Sequence, residues 1–228
     1  MAAIVAHEIN NPLAGIKNAF RLVREAVPRD HSDRDMADRM AREIDRIADI
    51  VRQMYEIYSP RTDPPVDVPL AATVRDVAVL LEPLCRECGV RLSVGEIPPG
   101  WTVHGHAGSL HQVIYNLVSN GVQASPSGGV VRVDAELKGR SWLVIHVRDQ
   151  GPGIPAEVQN QMFEPFVTAP VGARAKQGLG LGLAVVKSIV NSFGGRVEFD
   201  TSPGQGTCFH VYLPRSTDLK SSNETPAV

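Results

Sequence analysis

Cysteines, aromatic residues and long apolar runs are all scarce in this chain of 228 residues. The three cysteines are too few for a disulfide framework, and their scarcity fits a reducing cytoplasm. No apolar run approaches the roughly 18 residues of a membrane span, so we expect no signal peptide and no contact of this segment with a membrane. The formal net charge is only −2, with acids and bases interspersed, so we expect no nucleic-acid partner.

The remaining composition is that of a soluble globular protein. Apolar residues make up 43% of the chain and charged residues 21%, which is the ordinary balance for such proteins. A chain of this length holds one large domain or two modest ones. Composition therefore predicts a cytoplasmic protein and leaves its activity open.

Two amphipathic helices are predicted at the start of the chain. Apolar residues recur at steps of three or four from Val5 to Val27, and again from Met36 to Tyr58. Pro28 should end the first helix, and the polar stretch from Pro28 to Asp35 should form the turn. Two helices cannot cover their own apolar stripes, so we expect a second copy to complete a four-helix bundle. Residues 1–58 are thus a predicted dimerisation hairpin.

A second domain follows a proline-rich segment. Residues 59–69 contain four prolines and are typical of a stiff linker. Helices and strands are mixed in residues 70–214, with adjacent hairpin strands, which predicts an α+β sandwich with helices on one sheet face. Pro83 should kink or shorten the first helix of this domain. The polar residues 215–228 are predicted to be a disordered tail.

Several polar residues stand where chemistry could occur. His7 lies about 200° round its helix from Val5, away from the apolar stripe, and a neutral exposed imidazole can act as a nucleophile. Asn11 shares its face at i+4, whereas Glu8 is about 100° away. An isolated histidine of this kind is more often an ordinary surface residue. The position alone therefore leaves both interpretations open.

Two further patterns suit a phosphorylated ligand. Asn116 and Asn120 are four residues apart on one helix face, and amide oxygens suit Mg²⁺, although a solvated polar face gives the same pattern. Asp149 follows a strand and precedes Gly151 and Gly153, which would let backbone approach a flat ligand. An acidic turn is the simpler alternative. The run G-L-G-L-G-L at residues 178–183 opens a helix whose N-terminus could face phosphates, but it is not a P-loop.

Six short motifs in one order resemble the signature boxes of bacterial two-component histidine kinases. They are H-E-I-N-N-P-L (residues 7–13), H-Q-V-I-Y-N-L-V-S-N-G-V-Q-A (111–124), R-D-Q-G-P-G-I-P (148–155), M-F-E-P-F (162–166), G-L-G-L-G-L (178–183) and G-Q-G-T (204–207). The resemblance covers residues 6–214. It implies a dimeric four-helix bundle followed by the α+β sandwich ATPase fold shared with Hsp90, gyrase and MutL, the GHKL or Bergerat type.

The resemblance also implies roles for individual residues. His7 would be phosphorylated, Glu8 would assist proton transfer, and Asn11 would aid dephosphorylation of the partner. Asp149 would recognise the adenine amine of ATP, and Asn120 would hold Mg²⁺. The implied contacts with ATP are made by Asn116, Asn120, Asp149, Gly151, Gly153, Ile154, Phe163, Phe166, Lys176, Gly178, Leu179, Gly180, Leu181, Gly182, Leu183 and Thr207.

Some positions depart from the family pattern. His106 stands where aspartate is common and Gly121 where alanine is common, and we expect neither to touch the chemistry. The predicted ATP lid, residues 167–177, has Ala169-Pro170 where many relatives have lysine. Arg174 and Lys176 are therefore the basic lid residues that could approach the triphosphate.

The implied function is an ATP-dependent kinase that phosphorylates itself on His7 and passes the phosphoryl group to an aspartate of a response regulator receiver domain. One alternative is a two-component phosphatase or scaffold that has lost ATP turnover. Another is a mechanical ATPase, which needs a base where this chain has Asn116. The chain begins six residues before His7, so we expect the first helix and a sensor domain to extend upstream. We predict no metal site at Cys85 and Cys88 or at the histidines 104, 106 and 111.

Overall fold

A computed structural model describes residues 2–28, 30–58, 64–168 and 180–216. Within the first two helices, the side chains of residues 2–11, 13, 49, 50 and 52–58 lie outside that description. The chain divides into two compact units, Met1–Pro60 and Arg61–Val228. No helix of the described part is long and apolar enough to cross a membrane.

The first unit is the predicted helical hairpin. Helices α1 (Ala2–Ala26) and α2 (Arg34–Tyr58) pack against each other, and α1 continues through Pro12. Arg34 closes the turn because its guanidinium donates to the carbonyls of Arg24 at 3.0 Å and Val27 at 2.9 Å, at the C-terminal end of α1. Arg24 also pairs with Asp38 of α2, with a nitrogen–oxygen distance of 2.6 Å.

The hairpin leaves a set of large apolar side chains uncovered within one chain. The exposed members are Ile16, Leu22, Val23, Met36, Met40 and Ile47. Met36 and Met40, which we expect in the core of the two-copy bundle, are 62% and 50% exposed in the single hairpin. A single hairpin offers them no second layer, so only another surface can bury them.

The second unit begins with a short strand and alternates helices with strands. Its elements are β1 (Val66–Pro69), α3 (Leu70–Cys88), β2 (Arg91–Val94), β3 (Thr102–Gly105), α4 (Ala107–Ala124), β4 (Val130–Lys138), β5 (Trp142–Arg148), α5 (Ala156–Gln159), α6 (Gly182–Ser192), β6 (Arg196–Ser202) and β7 (Gly206–Pro214). The sequence patterns at residues 91–94, 130–137 and 142–147 predict strands, and β2, β4 and β5 begin at the first residues of these patterns.

Five strands form the main sheet in the order β2–β4–β5–β7–β6. β2 runs parallel to β4, and the other neighbours are antiparallel. β1 and β3 form a separate antiparallel pair. Helices α3, α4 and α6 form one layer, which packs on one face of the sheet and buries a core of branched aliphatic residues that includes Leu117, Ile145, Val185 and Leu213. The predicted α+β sandwich is confirmed.

Three local expectations differ from the structure. Val66–Pro69, inside the predicted linker, form β1 because Val68 is buried and the strand pairs with β3. Pro83 does not shorten α3, because it lies on the exposed side of the helix. Proline has no N–H, and water can donate a hydrogen bond to the carbonyl that loses its helical partner. At the start of the predicted tail, Arg215 bridges to Val103 and Ser216 is buried; residues 217–228 lie outside the described part.

Candidate functional site

Asp149 is the buried carboxylate at the centre of the site. It follows the last residue of β5 and is only 7% exposed. Its Oδ1 accepts hydrogen bonds from the backbone N–H groups of Gly151 at 2.8 Å and Thr207 at 3.1 Å. Burial raises the pKa of the Asp149 carboxyl above its usual range, and the two backbone hydrogen bonds oppose that shift. The local backbone thus fixes one oxygen of a carboxylate that lies largely out of water.

The glycine-rich turn after Asp149 docks on the β6–β7 hairpin. Gly153 has φ +80°, and a Cβ there would collide with the backbone oxygen of Ser202. The N–H of Ile154 donates to Thr201 Oγ1 at 2.9 Å, and Thr201 Oγ1 lies 3.1 Å from Thr207 Oγ1. These contacts hold the turn against β6, and the neighbouring strand β7 supports Asp149 through Thr207. Only glycine combines that close approach with a left-handed backbone.

The two asparagines of α4 lie beside the first residue of α6. Asn116 is 6% exposed, and its Nδ2 donates to the carbonyl of Gly182 at 3.2 Å. A Cβ built on Gly182 would stand 3.7 Å from Asn120 Nδ2, and Asn120 is partly exposed. The i, i+4 spacing therefore brings both amides to the N-terminal end of α6. Asn116 serves a structural bond there, whereas Asn120 is free to face a ligand.

Gly121 contradicts our expectation that it lies away from the chemistry. A Cβ at this position would be 3.2 Å from Asp149 Cβ and 3.4 Å from both methyl groups of Val131. Helix α4 therefore passes the floor of the site at nearly the closest possible distance. His106, the other unusual residue, is the N-cap residue of α4, and its Nδ1 is buried without a partner among the described residues.

The segment from Met162 to Phe166 leads towards the predicted lid. Met162 is buried, and the Phe163 ring stands 6.3 Å from Phe199 of β6. Phe166 is 60% exposed and has φ +68°, which is unusual for a residue with a side chain, and its N–H donates to the carbonyl of Gly180 at 3.0 Å. This hydrogen bond joins the two segments that flank the predicted lid, residues 167–177.

Part of the second glycine motif is described. Gly180 has φ +67°, Leu181 is buried, and α6 begins at Gly182, so the predicted helix after the glycine run is present. Leu183 lies in the first turn and is partly exposed. The predicted contacts Lys176, Gly178 and Leu179, and the basic lid residue Arg174, lie outside the described residues.

The structure brings Asn116, Asn120, Asp149, Gly182 and Thr207 into one region. His7, Glu8 and Asn11 lie within α1, and the directions of their side chains are outside the described part. Sequence reasoning missed Thr201, which bonds both to the glycine turn and to Gly206. The Pro203-Gly204 turn between two strand patterns was the available signal, since a hairpin there pairs residue 201 with residue 207.

Two different protein families match the chain, one for each of its two compact units. Residues 1–62 match the His Kinase A (phospho-acceptor) domain. Residues 105–217 match the histidine kinase-, DNA gyrase B- and HSP90-like ATPase family. The first match contains His7, and the second contains Asn120, Asp149 and Thr207.

Curated relatives carry both domains in one polypeptide. The sensor histidine kinase ZraS of Klebsiella oxytoca is 32% identical over 214 residues, which is 94% of this chain and 45% of the relative. The sensory histidine kinase/phosphatase NtrB of Azospirillum brasilense is 31% identical over 98% of this chain and 57% of its own length. The chain thus spans about half the length of the curated relatives that it matches.

Solved structures show the same fold. Full-length ShkA in complex with AMPPNP has a TM-score of 0.78 and 25% identity, with 94% of this chain and 45% of that chain covered. The mycobacterial sensor histidine kinase MprB is 30% identical over 66% of this chain and 96% of its own, with a TM-score of 0.55. This chain therefore belongs to the two-component sensor histidine kinases, of which it is the transmitter core.

Proposed function

We propose that this chain binds ATP, phosphorylates its own His7 and passes the phosphoryl group to an aspartate of a response regulator receiver domain. The observation that carries the proposal is the buried Asp149 carboxylate, whose Oδ1 is held by Gly151 and Thr207. A carboxylate buried at this depth is costly unless a ligand uses it. The relation to sensor histidine kinases names that ligand as ATP.

The described residues fit an adenine nucleotide. With Oδ1 of Asp149 engaged by backbone donors, Oδ2 would accept the adenine amino group. The close-packed turn at Gly151 and Gly153 would let the flat base lie against backbone. The N-terminus of α6 at Gly182 supplies free N–H groups and a positive dipole end for the triphosphate. AMPPNP in the structure of ShkA supports this assignment.

Asn120 is our candidate ligand for Mg²⁺. Its amide lies beside Gly182, where the phosphates would meet α6, and amide oxygens are hard ligands suited to this ion. Bound Mg²⁺ would neutralise charge on the transferring phosphoryl group. Asn116 would hold the backbone of Gly182 in place for the same ligand.

The proposed transfer is a displacement at the γ-phosphorus of ATP. A nitrogen of the His7 imidazole forms the new bond, the bond to the β,γ-bridging oxygen breaks, and ADP leaves. Glu8 accepts the proton that the imidazole loses. Asn11 would instead position water during removal of a phosphoryl group from the regulator. These roles follow from the resemblance of residues 7–13 to the phosphoacceptor box.

The proposed partners are a second copy of this chain, bound through the α1–α2 hairpin, and a response regulator. The match of residues 1–62 to the phospho-acceptor domain supports both. The histidine kinase ThkA has been solved in complex with the response regulator TrrA, and its fold is similar to that of this chain, with a TM-score of 0.67. We further propose a cytoplasmic location, with a sensor domain elsewhere in the whole protein.

A phosphatase activity beside the kinase activity has specific support, because NtrB carries both activities in its name. The alternative is a phosphatase or scaffold that has lost ATP turnover. Against it stands the well-formed nucleotide site around Asp149 and Asn120. A mechanical ATPase is less favoured, because Asn116 occupies the helix position of the water-activating base and is engaged with Gly182. The phosphoacceptor hairpin would have no role in such a protein.

Labelling with γ-³²P-ATP and Mg²⁺ tests the proposed function. The parent chain should acquire an acid-labile, base-stable label, and His7→Gln should acquire none while it binds ATP with unchanged affinity. His31→Gln, in the exposed turn of the hairpin, is the matched control and should label like the parent. Persistent labelling of His7→Gln would place the acceptor elsewhere, and ATP binding without any label in the parent would favour the silent scaffold.

A further inference from the structure

Two histidines and a cysteine meet on the sheet face that the helices leave uncovered. His146 of β5 stands directly opposite His210 of β7, and Cys208 lies two residues before His210 on the same face. Val131 and Asp149 contact Gly121 of α4, so their face of the sheet is the helix side. Side chains alternate between the two faces along each strand, so the opposite face of the sheet carries His146, Cys208 and His210.

Their candidate ligand atoms are close together. The two Nδ1 atoms are 2.6 Å apart, Cys208 Sγ is 4.0 Å from His210 Nδ1, and all three ligand atoms lie within 4.8 Å of one another. Cys208 is buried, whereas the side chains of His146 and His210 are 23% and 17% exposed. The cluster is therefore shielded on the sheet side and open towards solvent, where a water molecule can enter.

The outer nitrogens of both rings face carboxylates. His210 Nε2 is 3.0 Å from Asp200 Oδ2, and His146 Nε2 is 3.5 Å from Glu136 Oε1. A ring that donates its Nε2–H to a carboxylate has a lone pair at Nδ1. Two such lone pairs would repel each other at 2.6 Å unless a proton or a metal cation lies between them. Carboxylates behind histidine ligands are the usual outer shell of a protein metal site.

We propose that His146 Nδ1, His210 Nδ1 and Cys208 Sγ bind one Zn²⁺ ion, with water as the fourth ligand. A tetrahedral ion with bonds of about 2.0 Å to nitrogen and 2.3 Å to sulfur needs nitrogens about 3.3 Å apart and a sulfur about 3.6 Å from each. Small side-chain rotations would spread the nitrogens and draw in the sulfur. Mg²⁺ does not compete for this site, because it prefers oxygen ligands to thiolate.

The charges around the cluster also suit a divalent cation. Arg148, paired with Cys208 across β5 and β7, approaches the sulfur and contributes one positive charge. Asp134 and Glu198, which lie opposite the two histidines, are each paired with an arginine. Of the remaining groups, Asp200, Glu136 and the Cys208 thiolate contribute three negative charges, which Arg148 and Zn²⁺ would balance. The ion would act as a clamp because its three protein ligands lie on the two central strands, His146 on β5 and Cys208 and His210 on β7, and its fourth position would stay open to water.

The clamp would lie next to the nucleotide site. Cys208 follows Thr207, whose N–H donates to Asp149 Oδ1 and whose carbonyl accepts from the Asp149 N–H at 2.9 Å. Zn²⁺ would therefore fix β5 to β7 at the point where these strands hold the adenine-binding carboxylate. Its binding should raise the unfolding temperature of the chain whether or not nucleotide is present.

Cobalt titration of the chelator-stripped full chain tests the site. Co²⁺ should bind with one equivalent, give a thiolate-to-metal charge-transfer band and intense tetrahedral d–d bands, and be displaced by Zn²⁺. Cys208→Ser should remove the charge-transfer band, and His210→Gln should weaken affinity by about 100-fold or more. Asp200→Asn, behind His210, should weaken affinity by about 10- to 100-fold.

The double variant Cys85→Ser/Cys88→Ser is the matched control, because it removes the other two thiols and should keep the band. Circular dichroism in chelator checks that each variant folds, and the histidine variant gives an answer if Cys208→Ser does not. A band that survives Cys208→Ser, or disappears in the double variant, would overturn the proposal. So would the absence of any thiolate band in the parent, which would leave the two rings sharing a proton.

Discussion

Asp149 illustrates how a single residue can be kept for binding at the expense of stability. Burial raises its pKa, so its charged form is less favourable in the folded chain than in the unfolded chain. Its stabilising contribution is complete below the unfolded pKa, and it is lost as the pH rises through the folded pKa. In the folded domain the charged form of Asp149 is favoured by the two backbone donors, from Gly151 and Thr207, which partly offset the effect of burial.

Asp149→Asn should separate these two effects. Oδ1 of asparagine can keep both backbone hydrogen bonds, so we expect the unfolding temperature at neutral pH to equal or exceed that of the parent. This advantage should shrink as the pH falls and the parent carboxyl becomes protonated. ATP affinity should fall by about 10- to 100-fold, since one charge-assisted hydrogen bond contributes about 1.5–3 kcal/mol.

The asparagine Nδ2 would present a donor where the adenine amine also donates. Inosine triphosphate has an acceptor at that position, so the ratio of its affinity to that of ATP should rise in the variant. Calorimetric titration with both nucleotides measures this ratio, and Asp76→Asn on exposed α3 is the control. An unchanged ratio would mean that Asp149 does not contact the base.

At the scale of single residues, the sequence predicted those surroundings that are formed by neighbours close along the chain. The position of Asp149 between a strand and two glycines predicted its place in the chain and the nearby glycine turn, but not its burial or its hydrogen bond from Thr207. The approach of Gly121 to Asp149 was not, because it depends on how closely α4 lies on β4 and β5. The contact between His146 and His210 likewise depends on the register between β5 and β7. The two histidines are 64 residues apart in the chain, and no local sequence pattern reveals that register.

At the scale of elements, the site depends on the contact between the glycine turn and the β6–β7 hairpin. Gly204 N–H donates to the carbonyl of Pro152 at 2.8 Å, and Ile154 N–H donates to Thr201. The turn has no regular structure of its own, so these bonds determine its conformation. Disturbing them should affect nucleotide binding without unfolding the sheet.

Two glycine substitutions distinguish close approach from backbone strain. Gly153 and Gly204 have similar φ values, +80° and +74°, but a Cβ meets Ser202 oxygen only at Gly153 and nothing within 4 Å at Gly204. Gly204→Ala should lower the free energy of unfolding by about 1–2 kcal/mol, the cost of a left-handed backbone. Gly153→Ala should cost more and should also weaken ATP binding.

Urea unfolding and nucleotide titration of both variants measure these effects side by side. Gly204→Ala serves as the control for backbone conformation, and its ATP affinity should remain close to that of the parent. Equal losses in the two variants would show that contact with Ser202 contributes nothing.

The elements themselves were largely predictable, and the exceptions have physical causes. Strong periodicity located α2, α4, β4 and β5, because local hydrophobic patterns determine such elements. Strand β1 was missed because prolines at 64, 65 and 69 suggested a linker, although its pairing with β3 requires only one buried valine, Val68. The parallel pairing of β2 with β4 arises from packing between distant segments, and no pattern in the sequence of either strand predicts it.

At the scale of the whole molecule, the two units differ in how completely they bury their apolar residues. In the ATPase unit three helices cover one face of the sheet and bury an extensive apolar core. Among the described side chains of the hairpin, by contrast, Ala37 is the one buried apolar residue and six large apolar side chains are exposed. Met36, Met40 and Ile47 lie within about 40° of one another round α2. Asp38, on another side, is engaged with Arg24 of α1, so the exposed stripe is not the surface that holds the hairpin together. A second hairpin is the partner that we propose for this stripe.

Met40→Glu should therefore dissociate the dimer. A symmetric interface contains the substitution twice, and each lost side chain is worth about 1.5–3 kcal/mol when buried. The dissociation constant should rise by about 100-fold or more, while α1 and α2 remain helical because Met40 is already exposed in the single chain. Light scattering over a concentration series measures the change. Arg46→Glu, about 120° round α2 from Met40 and away from Asp38, introduces an acid outside the stripe and should leave the dimer intact. If both variants remain dimeric, the stripe is covered by something other than a second copy; if both dissociate, the interface surrounds α2 and the four-helix arrangement is wrong.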